Sequence, residues 1–145
     1  MYGLALIYGF LAAAAALFAQ IVALFFFDFS LTPSPSLTLL LGAATLEEGA
    51  RLIFLLQLAK RHPQATSFIH ALFFAFGFIA AELSLLALSP TDLPEIRLIV
   101  RMTLVHFLGN LLIYSGLRFR ESFGFAPLIG LLGAILTHTL YNASL

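Results

Sequence analysis

Leu37 to Leu58 reads LTLLLGAATLEEGARLIFLLQL. A helix needs about 20 apolar residues to cross a bilayer, and this run is long enough. Yet Glu47, Glu48 and Arg51 stand near its middle. Each charged side chain at mid-bilayer costs about 2.5–3.5 kcal/mol on insertion scales, so ionisable groups there mark function by default. The plainer explanation is a neutral polar knot that glues helices together, but such glue is ordinarily made of Ser, Thr or Asn.

Composition around this stretch is that of an integral membrane protein. Of 145 residues, 61% are hydrophobic and 10% charged, with a mean hydropathy of +1.05. Soluble domains carry about a quarter charged residues. The apolar segments are continuous rather than alternating, which favours helices over a barrel. The fold class expected is therefore all-α: a polytopic integral membrane protein, a bundle of about five transmembrane helices at about 20 residues each. A single transmembrane domain fills residues 1–145, with helices near 2–27, 37–58, 65–88, 94–117 and 127–145.

Other classes drop out. Net charge is zero and the seven basic residues are dispersed, so no nucleic-acid partner is expected. With no cysteine, disulfides, thiolate metal sites and thiol catalysis are excluded. The first apolar run lacks a basic leader and is too long for a signal peptide, so it is read as a retained helix.

Punctuation between the spans is clear. Asp28 and the Thr32-Pro33-Ser34-Pro35-Ser36 turn end helix 1, whose one strongly polar side chain is Gln20. The alanine run Ala12 to Ala16 offers a small-residue surface for close packing. Lys60-Arg61-His62-Pro63 ends helix 2, and Ser89-Pro90 ends helix 3. Asp92 and Glu95 are spaced as a capping pair for helix 4, and Pro127 suits the first turn of helix 5. Lys60, Arg61, Arg118 and Arg120 lie in the 2–3 and 4–5 connections, against Arg97 alone on the other side. The positive-inside rule then places the N-terminus in the cytoplasm and the C-terminus outside.

Topology converts to depth. At about 1.5 Å per residue, Glu47 and His106 lie roughly 14–15 Å below the outer face, and Glu82 and His138 roughly 9–10 Å. Polar groups of four helices thus share the middle and outer half of the membrane, while His70 sits near the cytoplasmic end and His62 in a loop. Glu47 and Glu48 point about 100° apart, so both cannot face one centre squarely. Arg51 is four residues from the first and three from the second, and can pair with either. One glutamate at a reaction centre and the other holding Arg51 is the economical arrangement.

His106 shares a helix face with Asn110, and His138 with Asn142, four residues apart in each case. Imidazole suits metal ligation or proton transfer near neutral pH, and a carboxamide can donate to an oxyanion. Either histidine alone is as readily a hydrogen-bonding partner for a neighbouring helix; two of them at the depth of a Glu-Glu pair favour a site. Glu82 is equally a third carboxylate of that site or an ion-pair partner of Arg97 or Arg101. Gly77, five residues earlier, would let a neighbouring backbone approach. The phenylalanines, Phe73, Phe74, Phe76 and Phe78 among them, are read as packing or lipid-facing residues.

Four segments carry a family resemblance. EEGAR at Glu47 to Arg51 resembles the EExxK/R signature of the PrsW family of intramembrane proteases. GFIAAE at Gly77 to Glu82 resembles the segment that follows it there, although Leu83 stands where that family usually has asparagine. RMTLVHFLGNLLIYSG, containing Arg101, His106, Gly109 and Gly116, resembles the next motif, and HTLYN at His138 to Asn142 the last. The related CAAX prenyl endopeptidases and bacteriocin-processing proteins place their arginine one residue further on.

The resemblance implies peptide-bond hydrolysis within or at the outer edge of the membrane, on a membrane-anchored protein substrate. Glu47 or Glu48 would be the base, and His106 and His138 would position the water or bind a metal. Asn142 and Asn110 would steady the oxyanion, with Arg51 and Glu82 in support. Glu47, His106 and His138 would also make a zinc ligand set with one open position. Two other readings fit intramembrane Glu and His: a small proton- or cation-coupled transporter, and a catalytically silent assembly protein.

Overall fold

Each apolar stretch folds as an α-helix in the computed structural model, which describes residues 1–26, 36–63, 67–88 and 95–144. The helices are α1 (Tyr2–Phe26), α2 (Leu37–Arg61), α3 (Phe68–Leu88), α4 (Ile96–Arg118) and α5 (Ala126–Asn142). Ser36 starts α2 by accepting a hydrogen bond from the Leu39 N–H at 3.3 Å, satisfying one of the donors that a helix start leaves open. Pro127 sits in the first turn of α5, where its missing N–H costs nothing.

The ends differ from the sequence expectation by a few residues. Helix α2 continues past Leu58 to Arg61, because Lys60 and Arg61 suit the negative end of the helix dipole. Helix α3 begins at Phe68 rather than residue 65, α4 spans Ile96–Arg118 rather than 94–117, and α5 starts at Ala126 and stops at Asn142. Glu95 is itself the residue that caps α4, and its side chain makes no capping hydrogen bond. The expected capping pair with Asp92 is therefore corrected as to Glu95. Asp92, Asp28 and the Thr32–Pro35 turn lie outside the described residues.

Among the described residues, three helices are long and apolar enough to cross a membrane: Tyr2–Phe25, Phe68–Leu88 and Ile96–Arg118. Helix α2 has the length, but its charges lower its hydropathy. Helix α5 is apolar but has 17 residues, about 25 Å at the usual rise. The outward faces carry large apolar side chains, Phe18, Phe25, Leu88, Leu104 and Leu140 among them, all exposed. Apolar surface on this scale marks a face that something other than water covers.

Small residues decide which helices touch most closely. A Cβ added to Gly9 would collide with the Phe74 carbonyl, and one on Gly77 with the Leu6 carbonyl, so α1 and α3 meet backbone to backbone. Ala12, Ala13 and Ala16 are buried on the same side of α1. Helices α4 and α5 make a second such pair: a Cβ on Gly116 would stand 2.6 Å from the Ala126 oxygen, and one on Gly130 2.5 Å from the Leu112 oxygen. Around the bundle, neighbours run α1–α3–α4–α5–α2 and back to α1, with α2 also reaching α4. The polar residues of α2 therefore have an interior to face.

Candidate functional site

Helix α2 places Glu48 and Arg51 one turn apart, facing inward, at 0% and 1% exposure. Charges removed from water this completely must be paired, and Arg51 Nη1 donates to Glu48 Oε1 at 2.7 Å. The guanidinium also lies over the Phe78 ring of α3, 3.8 Å from its centroid. Gly109 of α4 makes room for the pair, since a Cβ there would stand 3.2 Å from both Arg51 Nη1 and Glu48 Oε2. The arginine takes Glu48, and Glu47 is left to face elsewhere.

Glu47, about 100° further round the helix, meets α1 and α5. Gln20 Nε2 donates to Glu47 Oε1 at 2.7 Å and also lies 3.5 Å from the Ala43 carbonyl oxygen. On the other oxygen, Glu47 Oε2 is 3.4 Å from His138 Nε2. The opposite nitrogen of that ring, His138 Nδ1, is 2.8 Å from Glu48 Oε1. His138 thus bridges the two glutamates.

His106 completes the group. Its Nδ1 meets Arg51 Nη2 and its Nε2 meets Glu82 Oε2. The rings of His106 and His138 stand edge to face with centroids 5.2 Å apart. Glu82 accordingly joins the cluster through His106 and does not pair with Arg97 or Arg101, both of which are exposed on α4. Glu47 and Glu82 are the partly open members, with side chains 15% and 23% exposed. The cluster reaches the surface on their side.

Two expected members make no hydrogen bond to this group. The Asn110 amide donates to the Ala71 carbonyl oxygen at 2.7 Å, which ties α4 to α3 and turns that donor away from the cluster. Asn142 is half-buried at the end of α5, and its side chain has no hydrogen bond to a described residue. His70 bonds with Ser67 at 2.6 Å and packs on the Tyr2 ring, consistent with a structural role. A cavity of about 260 Å³ among Leu55, Leu58, Ala71, Leu117 and Arg118 belongs to the opposite end of the bundle, far along α2 and α4 from the glutamates.

Metal binding can be tested on donor chemistry. Glu47, His106 and His138 each offer a ligand atom, all within 4.8 Å of one another. His138 fits a metal ligand, because its Nδ1 rests on a carboxylate and its Nε2 faces the cluster. His106 does not fit. A guanidinium only donates, so the nitrogen it meets must accept, and the imidazole proton then occupies the other nitrogen. With Nδ1 accepting from Arg51 and the proton on Nε2, His106 has no lone pair to spare, and a metal held by all three residues requires Arg51 to leave.

Three residues of the site were not assigned to it by the sequence. Gln20 had a usable signal, being a lone strongly polar side chain in α1 about 9 Å from its end, level with Glu82. Gly109 was marked only as part of the third motif, and Phe78 had no signal, being one of several phenylalanines in an apolar helix. Comparison with protein-family profiles, with characterised proteins and with solved structures finds no match to this chain.

Proposed function

We propose that the chain is an intramembrane endopeptidase in which Glu47 activates a water against a peptide bond of a membrane-anchored protein. The observation that carries this reading is the meeting of Glu47, Glu82, His106 and His138, from four helices, beside the buried Glu48–Arg51 pair. The order of motifs resembling the PrsW family supports it. In this reading all five helices span the bilayer, with the N-terminus in the cytoplasm and the C-terminus outside. The charges of α2 do not oppose its insertion, because Glu48 and Arg51 are enclosed by protein. Helix α5 falls a few ångströms short of a hydrocarbon core about 30 Å thick, a mismatch that local thinning accommodates.

The chemistry needs a base, a water and a stabilised oxyanion. Glu47 is the suitable base: Gln20 holds one oxygen, and the other points at His138 without a hydrogen bond of its own. Glu48 is spent on Arg51 and His138, so it orients. Water oxygen attacks the carbonyl carbon while one of its protons passes to Glu47 Oε2. Collapse of the tetrahedral species breaks the C–N bond, and Glu47 returns that proton to the leaving nitrogen, giving an acid and an amine. No step is routed through a metal, since His106 as arranged does not offer a ligand lone pair.

The test is cleavage of a single-span peptide by purified protein in liposomes, followed by mass spectrometry. Glu47→Gln should slow cleavage about 10²–10⁴-fold, the usual worth of a general base. Activity lost to a chelator and restored by zinc would instead support a metal-bound water. Cation or proton flux without cleavage would favour the transporter, and unchanged partner binding by Glu47→Gln without cleavage the assembly protein.

A further inference from the structure

The two imidazoles of the cluster are held by partners of opposite kind. His138 Nδ1 faces Glu48 Oε1, an oxygen that also accepts from Arg51 at 2.7 Å. An ionised carboxylate can only accept, so His138 carries its proton on Nδ1 and turns the bare Nε2 lone pair inward. His106 is the reverse. Its Nδ1 faces Arg51, a group with no acceptor, so the proton sits on Nε2 and points at Glu82. A doubly protonated His106 would set an N–H against the guanidinium N–H.

These tautomers give the cluster a direction. Glu47 Oε2 and His138 Nε2 stand 3.4 Å apart as two acceptors with no proton between them. Two facing acceptors are satisfied by a water that donates one proton to each, which leaves that water's lone pairs free. Across the cluster, His106 Nε2 faces the partly exposed Glu82, whose Oε2 makes no hydrogen bond, so the Nε2–H donor is open to another acceptor.

We propose that Arg51 is a positioning residue that locks His106 in its Nε2–H tautomer, making His106 the donor for the reacting carbonyl oxygen while Glu47 and His138 hold the water. The carbonyl oxygen becomes the acceptor of that N–H when substrate enters. The catalytic consequence rests on the protease reading; the tautomers do not.

The experiment is long-range ¹H–¹⁵N correlation NMR on the full chain, labelled at histidine and held in detergent micelles. His106→Gln and His138→Gln spectra assign the two rings. The expected result is His106 protonated at Nε2 and His138 at Nδ1. In Glu82→Ala, which removes the carboxylate facing Nε2 and leaves Arg51 at Nδ1, His106 should stay protonated at Nε2. In Glu82→Ala/Glu48→Gln/Arg51→Gln it should lose that preference, while His138, still facing an amide oxygen, keeps Nδ1–H. Wild-type His106 protonated at Nδ1 would overturn the proposal, as would loss of the Nε2–H form in Glu82→Ala. If the triple variant does not fold, the wild-type and Glu82→Ala spectra decide. Absence of proteolysis would not alter these spectra, so the two failures are distinguishable.

Discussion

Replacing Arg51 by Met tests the buried pair at the centre of the bundle. Arg51 and Glu48 are 1% and 0% exposed, and their contact is 2.7 Å. Without Arg51, the Glu48 carboxylate keeps only His138 as a donor and cannot reach water. Breaking one side of such a pair costs about 3–5 kcal/mol, because a charge stays buried without compensation. The loss of the guanidinium's packing on Phe78 adds to this. Glu48→Gln with Arg51→Met removes both charges and should recover much of the loss, since a neutral replacement of a buried pair is often close to neutral. Reversible unfolding of the four proteins of this double-mutant cycle in mixed micelles gives the coupling directly. Single variants that cost under about 1 kcal/mol, the range of solvent-exposed pairs, would refute the argument.

Further outcomes follow from the same contacts. Gly109→Ala puts a methyl 3.2 Å from Arg51 Nη1 and Glu48 Oε2, and should destabilise by about 1–3 kcal/mol as overpacking does. Gly49→Ala, with nothing within 4 Å, should be neutral or stabilising by up to about 1 kcal/mol through helix propensity; thermal unfolding in detergent separates the two. Gln20→Leu removes the donor to Glu47 Oε1. A hydrogen bond to a charged group is worth about 1.5–3 kcal/mol, so the cleavage rate should fall roughly ten- to a hundredfold with folding retained. Gly77→Val should separate α1 from α3 at the Leu6 carbonyl, seen as faster amide exchange in both helices.

The fold was legible to the extent that it depends on hydropathy. Five apolar runs bounded by Pro, Ser and charged turns become five helices; α2 runs on past its expected end through Lys60 and Arg61, while α3 and α4 begin later and α5 stops earlier than hydropathy alone indicated. Length and apolarity support crossing for α1, α3 and α4. Helix α2 escapes such a measure because the charges that matter most to the site are the ones that lower its hydropathy.

Depth alone brought Glu47, Glu82, His106 and His138 into the middle and outer half of the membrane, because rise per residue is fixed. Direction around each helix was harder to read. Asn110 shares a face with His106 in spacing, yet its amide is taken by the Ala71 carbonyl of α3. That choice depends on how closely α3 and α4 approach, which no local pattern encodes. The partner of Arg51 was open between Glu47 and Glu48; the neighbouring helices settle it through the space at Gly109 and the ring of Phe78.

The central claim is that this enclosed group of carboxylates and imidazoles splits water across a peptide bond. Cleavage of a membrane-anchored peptide in H₂¹⁸O measures it most directly, by mass spectrometry of the new C-terminus. The account predicts one ¹⁸O atom in the newly formed carboxylate with wild-type protein and a loss of product with Glu47→Gln. Intact peptide with the folded wild type, with or without added zinc, or equal cleavage by Glu47→Gln, would contradict it.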